Sequence, residues 1–282
     1  MTNKLFIKLT RETLPQIKEK FPFIYLEAGR LEVDDSSVKW IDSTGNVVRL
    51  PIATISALLL GFGTTVTHAA IKVCASVNCT ICWVGEDSLL FYATGQSLTS
   101  NTKNFKKQML LAADKTKSLS VARNMFNFRF PETDTANKSL KELMGMEGYR
   151  VKKLYADMAE KYQVGWKGRS YTPNNFELSD TTNKILTSAN AALYALISSV
   201  VFSLGYSPYI GFVHSGSPLP FIYDLADLYK EHLTIDMAFS LTKDMAAYYD
   251  KYILLHEFRK RVIESRLLEN LADDINKILM VK

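Results

Sequence analysis

"TTNKILTSANAALYALISSVVFSLG" occupies residues 181–205. Apolar and small side chains fall on nearly every face of a 3.6-residue period, so no side of this segment is written for water. Such a helix belongs at the centre of a core or across a bilayer. We read it as the central buried helix of a helical domain, stopped by Gly205. No apolar run is expected to approach the roughly 18–20 residues of a membrane span.

Working outward, helical periods fill the flanks. Residues 104–130 form one candidate helix and residues 139–164 a stronger one. The final stretch, residues 236–282, reads as two further helices with a charged outer face. Residues 20–95 read differently. "FIYLEAG", "LEVDD" and "VKWIDSTGNVVRLPI" alternate or run in β-branched and aromatic residues, punctuated by turn residues. "SALLLG" and "CTICWVG" read as buried strands, with "THAAIKVCASVN" between them as a short helix capped by Thr67. "TGQSLTSNTK" reads as a polar linker. The expected fold class is α+β: a small β-rich N-terminal domain (1–95), a linker (96–103) and a larger all-α catalytic domain (104–282).

Bulk properties agree with a folded chain. It has 282 residues, 47% hydrophobic and 22% charged, enough to bury a sizeable core. Three cysteines, Cys74, Cys79 and Cys82, form no disulfide framework and read as buried thiols. The polar start, "MTNKLFIKLTRETLP", is unlike a signal peptide, so a cytoplasmic location is expected. Net charge is only +5, but residues 103–129 hold Lys103, Lys106, Lys107, Lys115, Lys117, Arg123 and Arg129 against the single acid Asp114. That strip is either a solvated helical face or a surface that meets phosphates.

Two stretches carry chemistry. Leu140, Leu143, Met144, Val151, Leu154 and Met158 recur at helical steps, and Glu147 falls in their stripe. A carboxylate there needs a cation or a base, such as Arg150 or Arg169. Gly145 and Gly148 flank it, which points to close approach of a partner helix or substrate backbone. The second stretch is "GFVHSGSPLPFIYDLAD", residues 211–227. His214 sits between glycines, Pro218 and Pro220 favour a helix start, and Asp224 and Asp227 share a face of that helix. Taken alone, these acids are charges in the early turns of a helix, favoured by its dipole, and His214 is a hydrogen-bonded loop residue. Taken with Glu147, they make an oxygen-rich, one-nitrogen donor set suited to Mg²⁺ or Mn²⁺. The chain has no Walker loop, dinucleotide fingerprint, nucleophile elbow or His-Glu-x-x-His motif.

At this point a resemblance enters. "YLEAGRLEV", "GTTVTHAAIKV", "WVGE", "YATGQ" and "RNMFNFRF", and above all "GMEGYRVKKLYADMAEKYQVGWKGRSY" and "SPYIGFVHSGSPLPFIYDLADLYK", resemble the CRISPR-associated spacer-acquisition integrases, the Cas-one family, most closely its type I-E branch. The resemblance spans nearly the whole chain. It implies a metal-dependent DNA endonuclease and integrase, with Glu147, His214 and Asp227 as ligands of Mg²⁺ or Mn²⁺ and Asp224 supporting or joining them. It implies a homodimer, two dimers bridged by a small Cas-two partner. The substrates implied are double-stranded DNA with 3′ overhangs and CRISPR repeat DNA. A 3′-hydroxyl of the captured fragment would attack a repeat phosphodiester. In that light the basic strip, with Arg150, Lys152, Lys153, Lys167 and Arg169, reads as DNA backbone contact. Tyr171 and Trp166 either stack on a splayed base or pack in the core. Ser217 stands where type I-E relatives tend to carry lysine. Two alternatives remain: a structure-specific nuclease acting only by hydrolysis, and a catalytically silent DNA-binding scaffold.

Overall fold

The computed structural model describes residues 14–34, 37–85, 89–95, 102–170 and 176–281. Residues 181–205 do form the central helix, here α5 (Thr181–Ser203). Asp180 caps it by accepting from the Asn183 N–H at 2.8 Å. Gly205 ends it in the left-handed region (φ 75°), which lets the Tyr206 N–H reach back to the Val201 carbonyl. The expectation on length needs correction. By length and composition α5 is long and apolar enough to cross a membrane. Its apolar surface is spent inside the protein instead, with 83% of its most apolar window buried.

The β-rich part forms two four-stranded sheets. The first takes the order β1 (Phe21–Leu26), β5 (Ile55–Leu60), β7 (Thr80–Val84), β8 (Phe91–Gly95), parallel except for the last pair. The second takes the order β4 (Val47–Leu50), β3 (Ser37–Asp42), β2 (Gly29–Asp34), β6 (Thr64–Val66), with β6 parallel to β2 and the rest antiparallel. α1 (His68–Ser76) connects β6 to β7, and Thr67 caps it through the Ala70 N–H as the sequence suggests.

The first sheet is a middle layer, which explains its unbroken apolar strands. All six residues of β5 are buried. Phe23, Ala57, Leu59, Cys82 and Val84 join the helical core. Leu26, Leu58, Leu60 and Ile81 pack with Leu31, Val38 and Trp40 of the second sheet and with Ala70 and Cys74 of α1. A buried hydrogen bond, Ser56 to Ser199 at 2.8 Å, stitches β5 directly to α5. All three cysteines are buried and unbridged, as expected.

The helical part departs from expectation at its breaks. Residues 104–130 hold parts of two helices, α2 (Lys103–Ala113) and α3 (Lys115–Arg129). Asp114 takes an extended backbone, and its carboxylate caps α3 by accepting from the Thr116 and Lys117 N–H groups. Residues 96–101 of the expected linker lie outside the described residues, and Lys103 already belongs to α2. The strong candidate helix is α4 (Leu140–Tyr162), opened by a capping box between Ser139 and Glu142. α6 (Pro220–Asp227) follows the site loop, and α7 (Asp236–Leu241) follows a π-turn over Glu231–Ile235. Where two C-terminal helices were expected, α7 is followed by α8 (Lys251–Glu264) and α9 (Leu267–Ile278). Arg266, at a left-handed φ of 51°, divides the last two.

Candidate active site

The loop that leaves α5 is held from both sides. Gln108 of α2 is fully buried and donates to the carbonyls of Ser207 (2.9 Å) and Ile210 (2.7 Å), while its own carbonyl accepts from the Ser207 N–H. Asp224 of α6 grips the next few residues. It accepts from the N–H groups of Phe212 (2.6 Å), Val213 (3.2 Å) and His214 (2.8 Å), and it meets His214 Nδ1 at 2.8 Å. Gly211 makes this wrap possible. A Cβ there would stand 2.7 Å from the Pro220 side chain and 2.8 Å from the His214 carbonyl.

These contacts correct the helix-dipole reading of the two aspartates. Pro220 does open α6, but the helix has eight residues and Asp227 is its last. Asp224 is occupied by the loop N–H groups rather than by the helix terminus. Its bond to His214 orients the ring. With Nδ1 facing Asp224, Nε2 is directed towards Asp227 Oδ2, 3.6 Å away. The hydrogen bond to Asp224 also raises the His214 pKa above its ordinary value; burial opposes this and the charge of Asp227 adds to it.

Glu147 reaches the same place from α4. Glu147, His214, Asp224 and Asp227 line one cavity together with Arg129. Residues far apart in the chain thus converge, as the donor-set reading requires. The partner of Glu147 is a correction: Arg129, at the end of α3, donates to its carboxylate, and Arg150 and Arg169 do not. The two glycines beside it also differ from expectation. Nothing lies within 4 Å of a Cβ built at Gly145 or Gly148, so that face of α4 is open. Met144, counted in the apolar stripe, is 44% exposed.

Sequence reasoning missed Lys230. Its ammonium lies 2.6 Å from Asp227 Oδ1 and 5.1 Å from the centre of the Tyr194 ring. Burial would lower its pKa, but Asp227 and Tyr194 hold it above the ordinary lysine value. The visible signal was its spacing: three residues past Asp227, it shares that residue's helical side.

Two carboxylates and an imidazole suit a hard divalent cation chemically. As placed, Glu147 is held by Arg129 and Asp227 by Lys230. Among the described residues, no three His, Cys, Asp or Glu side chains stand in a ligating cluster. The donor set converges on one cavity without closing on one point.

The basic residues divide into two groups. Lys103, Lys106, Lys107, Lys115 and Lys117 are exposed on α2 and α3. Arg123 instead donates to the Lys138 carbonyl and fastens the chain ahead of α4. Arg150 pairs with Glu132 and lies over Phe130; Lys153 pairs with Asp157 on the surface. Arg169 bonds to Asn183 and Thr187 and lines a second cavity with Lys230, Tyr194, Tyr223 and His214. Trp166 stacks on Tyr155 at 4.9 Å and abuts Phe239, so its ring serves packing. Tyr171 lies outside the described residues.

A family model described as CRISPR-associated protein Cas1 matches residues 23–131 and 129–265. This chain belongs to the Cas1 family. Among its Cas1 relatives, the "CRISPR-associated endonuclease Cas1 2" of Chlorobaculum tepidum is 64% identical over 98% of this chain and 93% of its own length. The "CRISPR-associated endonuclease Cas1" of Escherichia coli K12 is 37% identical over 80% of this chain and 74% of its own. The solved TtCas1–DNA complex superposes with a TM-score of 0.83 at 32% identity, covering 92% of each chain. A casposase bound to its integration product has the same fold at 16% identity, with a TM-score of 0.67 over 89% of this chain and 90% of its own. The α+β fold expected from the sequence is therefore that of solved Cas1 structures.

Proposed function

We propose that this chain is a divalent-metal-dependent DNA integrase and endonuclease of CRISPR adaptation. One observation carries the reading: Glu147, His214, Asp224 and Asp227, drawn from two helices and a loop, line a single cavity flanked by Arg129 and Lys230. The naming of its relatives as endonucleases, and the DNA complex of a relative 32% identical, support it.

Glu147, His214 and Asp227 would hold Mg²⁺ or Mn²⁺, which supplies Lewis-acid polarisation of the phosphodiester. Asp224 fixes the His214 ring and the loop behind it, so Nε2 faces the cavity without reorganisation. In the joining step the 3′-hydroxyl of a captured fragment gives up its proton as its oxygen bonds to phosphorus. The repeat strand's P–O3′ bond breaks, and its oxygen regains a proton. One phosphodiester replaces another, so no nucleotide need be hydrolysed. Working partners under this reading are double-stranded DNA with 3′ overhangs, CRISPR repeat DNA, a second copy of the chain and a small Cas2 protein bridging two dimers.

The test is Mn²⁺-dependent joining of a labelled duplex to a repeat-bearing plasmid, with the Cas2 partner present. Glu147→Ala, His214→Ala and Asp227→Ala are each expected to abolish the branched, higher-mass product while the folded circular dichroism spectrum survives. Undiminished joining in any of them overturns that ligand. Shortened fragments with no branched product at all point to hydrolysis alone, and DNA binding that persists in EDTA without any reaction points to a silent scaffold.

A further inference from the structure

The two carboxylates proposed as ligands each already hold a cation. Arg129 contacts Glu147 and is only 10% exposed; Lys230 contacts Asp227 at 2.6 Å and is 19% exposed. A buried carboxylate without a counter-charge is strongly unfavourable, so these bases are needed while the ion is absent. They also compete with it, because they occupy the oxygens an ion would use. Each base has an aromatic face at hand: Arg129 lies 5.0 Å from the Phe130 centroid and Lys230 lies 5.1 Å from that of Tyr194. Such a face is a resting place for a cation that has lost its carboxylate.

We infer that Arg129 and Lys230 are resident counter-cations, displaced from Glu147 and Asp227 when a divalent ion enters and then turned to the DNA phosphate as a clamp. The charge count gives the exchange a direction. Glu147, Asp224 and Asp227 outnumber Arg129 and Lys230 by one formal charge, so these five side chains are net negative. That arrangement repels a phosphodiester. Entry of a divalent ion turns it to one net positive charge, which attracts one. The cavity would then admit DNA backbone only once it is charged with its ion. This inference rests on the ligand assignment proposed above, and it adds a role for the two bases that the assignment does not require.

The experiment measures Mn²⁺ binding to DNA-free protein by electron paramagnetic resonance, for wild type, Arg129→Gln and Lys230→Gln. Removing a competitor is expected to tighten Mn²⁺ binding several-fold. The same variants should bind duplex DNA more weakly in the presence of Mn²⁺, with the salt slope of log affinity reduced by about one for each base. Metal and DNA affinities thus move in opposite directions; a merely structural pair would weaken both together. Unchanged or weaker Mn²⁺ binding in both variants overturns the exchange. Should the variants not fold, Mg²⁺ titration of wild type followed through the Arg129 side-chain N–H resonance decides: it should leave its hydrogen-bonded position, and a fixed resonance at saturating Mg²⁺ overturns the proposal. Failure of the underlying ligand assignment looks different, as wild-type Mn²⁺ binding that does not depend on Glu147, His214 or Asp227.

Discussion

α4 and α5 are both 23 residues long and could hardly be used more differently. Seventeen residues of α5 are buried; in α4 only Leu143 is. α5 touches the first sheet, α6, α7, α8 and α9 and so fixes the frame. α4 lies on the outside, with Leu140, Leu154 and Met158 packed partly inward and its charged side to solvent. Yet α4 delivers Glu147, and the loop that α5 feeds delivers His214. The site is therefore assembled from a deeply buried element and a lightly held one, with α4 tied at the cavity to α3 by the Arg129–Glu147 pair.

The largest effect should come from α5. Leu193→Ala empties a fully buried position and is expected to lower stability by about 2–5 kcal/mol. Met144→Ala on exposed α4 should stay within about 0.5 kcal/mol. Urea unfolding of the two variants measures the contrast directly, and equal losses would break it.

A smaller effect concerns how α4 is moored at its far end. Lys161 and Tyr162 both donate to Asp236 Oδ1, while Arg261 holds Oδ2. Burial alone would raise the Asp236 pKa; the hydrogen bonds from Lys161, Arg261 and Tyr162 overcome it and hold the carboxyl at about 2. A folded pKa below the unfolded value gives stability that is present above about pH 4 and lost as pH falls towards 2. Asp236→Asn should therefore cost roughly 1 kcal/mol at neutral pH, screened as a partly exposed network is. The difference from wild type should vanish near pH 2. A pH series of denaturation midpoints checks this, and a constant difference across the range would contradict it.

The smallest effect has the opposite sign. Gly145→Ala adds a Cβ that meets nothing within 4 Å, so only helix propensity changes, and the isolated chain should gain about 0.5–1 kcal/mol. A loss in thermal unfolding would mean that α4 is more tightly enclosed than α5's contrast with it implies.

The parts legible in the sequence were those written locally. An all-round apolar helix, strands with unbroken hydrophobes, the Thr67 cap and the Gly205 stop all follow from near-neighbour chemistry. Glu147 and His214 stood out as candidates because a carboxylate in an apolar stripe and a histidine between glycines are each locally out of place. Partner choice was not legible. Glu147 had several arginines within reach on paper, and only the crossing of α3 with α4 selects Arg129. The break at Asp114 was hidden because the same aspartate that caps α3 is also tolerated within a helix. The split of β5's two faces between two cores depends on strands paired at long range, which no window of sequence contains.

The burial of the cysteines has a practical side. Cys74, Cys79 and Cys82 are 1%, 2% and 0% exposed, so the native chain is a nearly silent background for thiol-specific labelling. A reporter dye attached through Tyr149→Cys, at a site 74% exposed on α4, would stand as the single bright point on the molecule. It would watch the lightly held helix while the rest of the protein stayed dark.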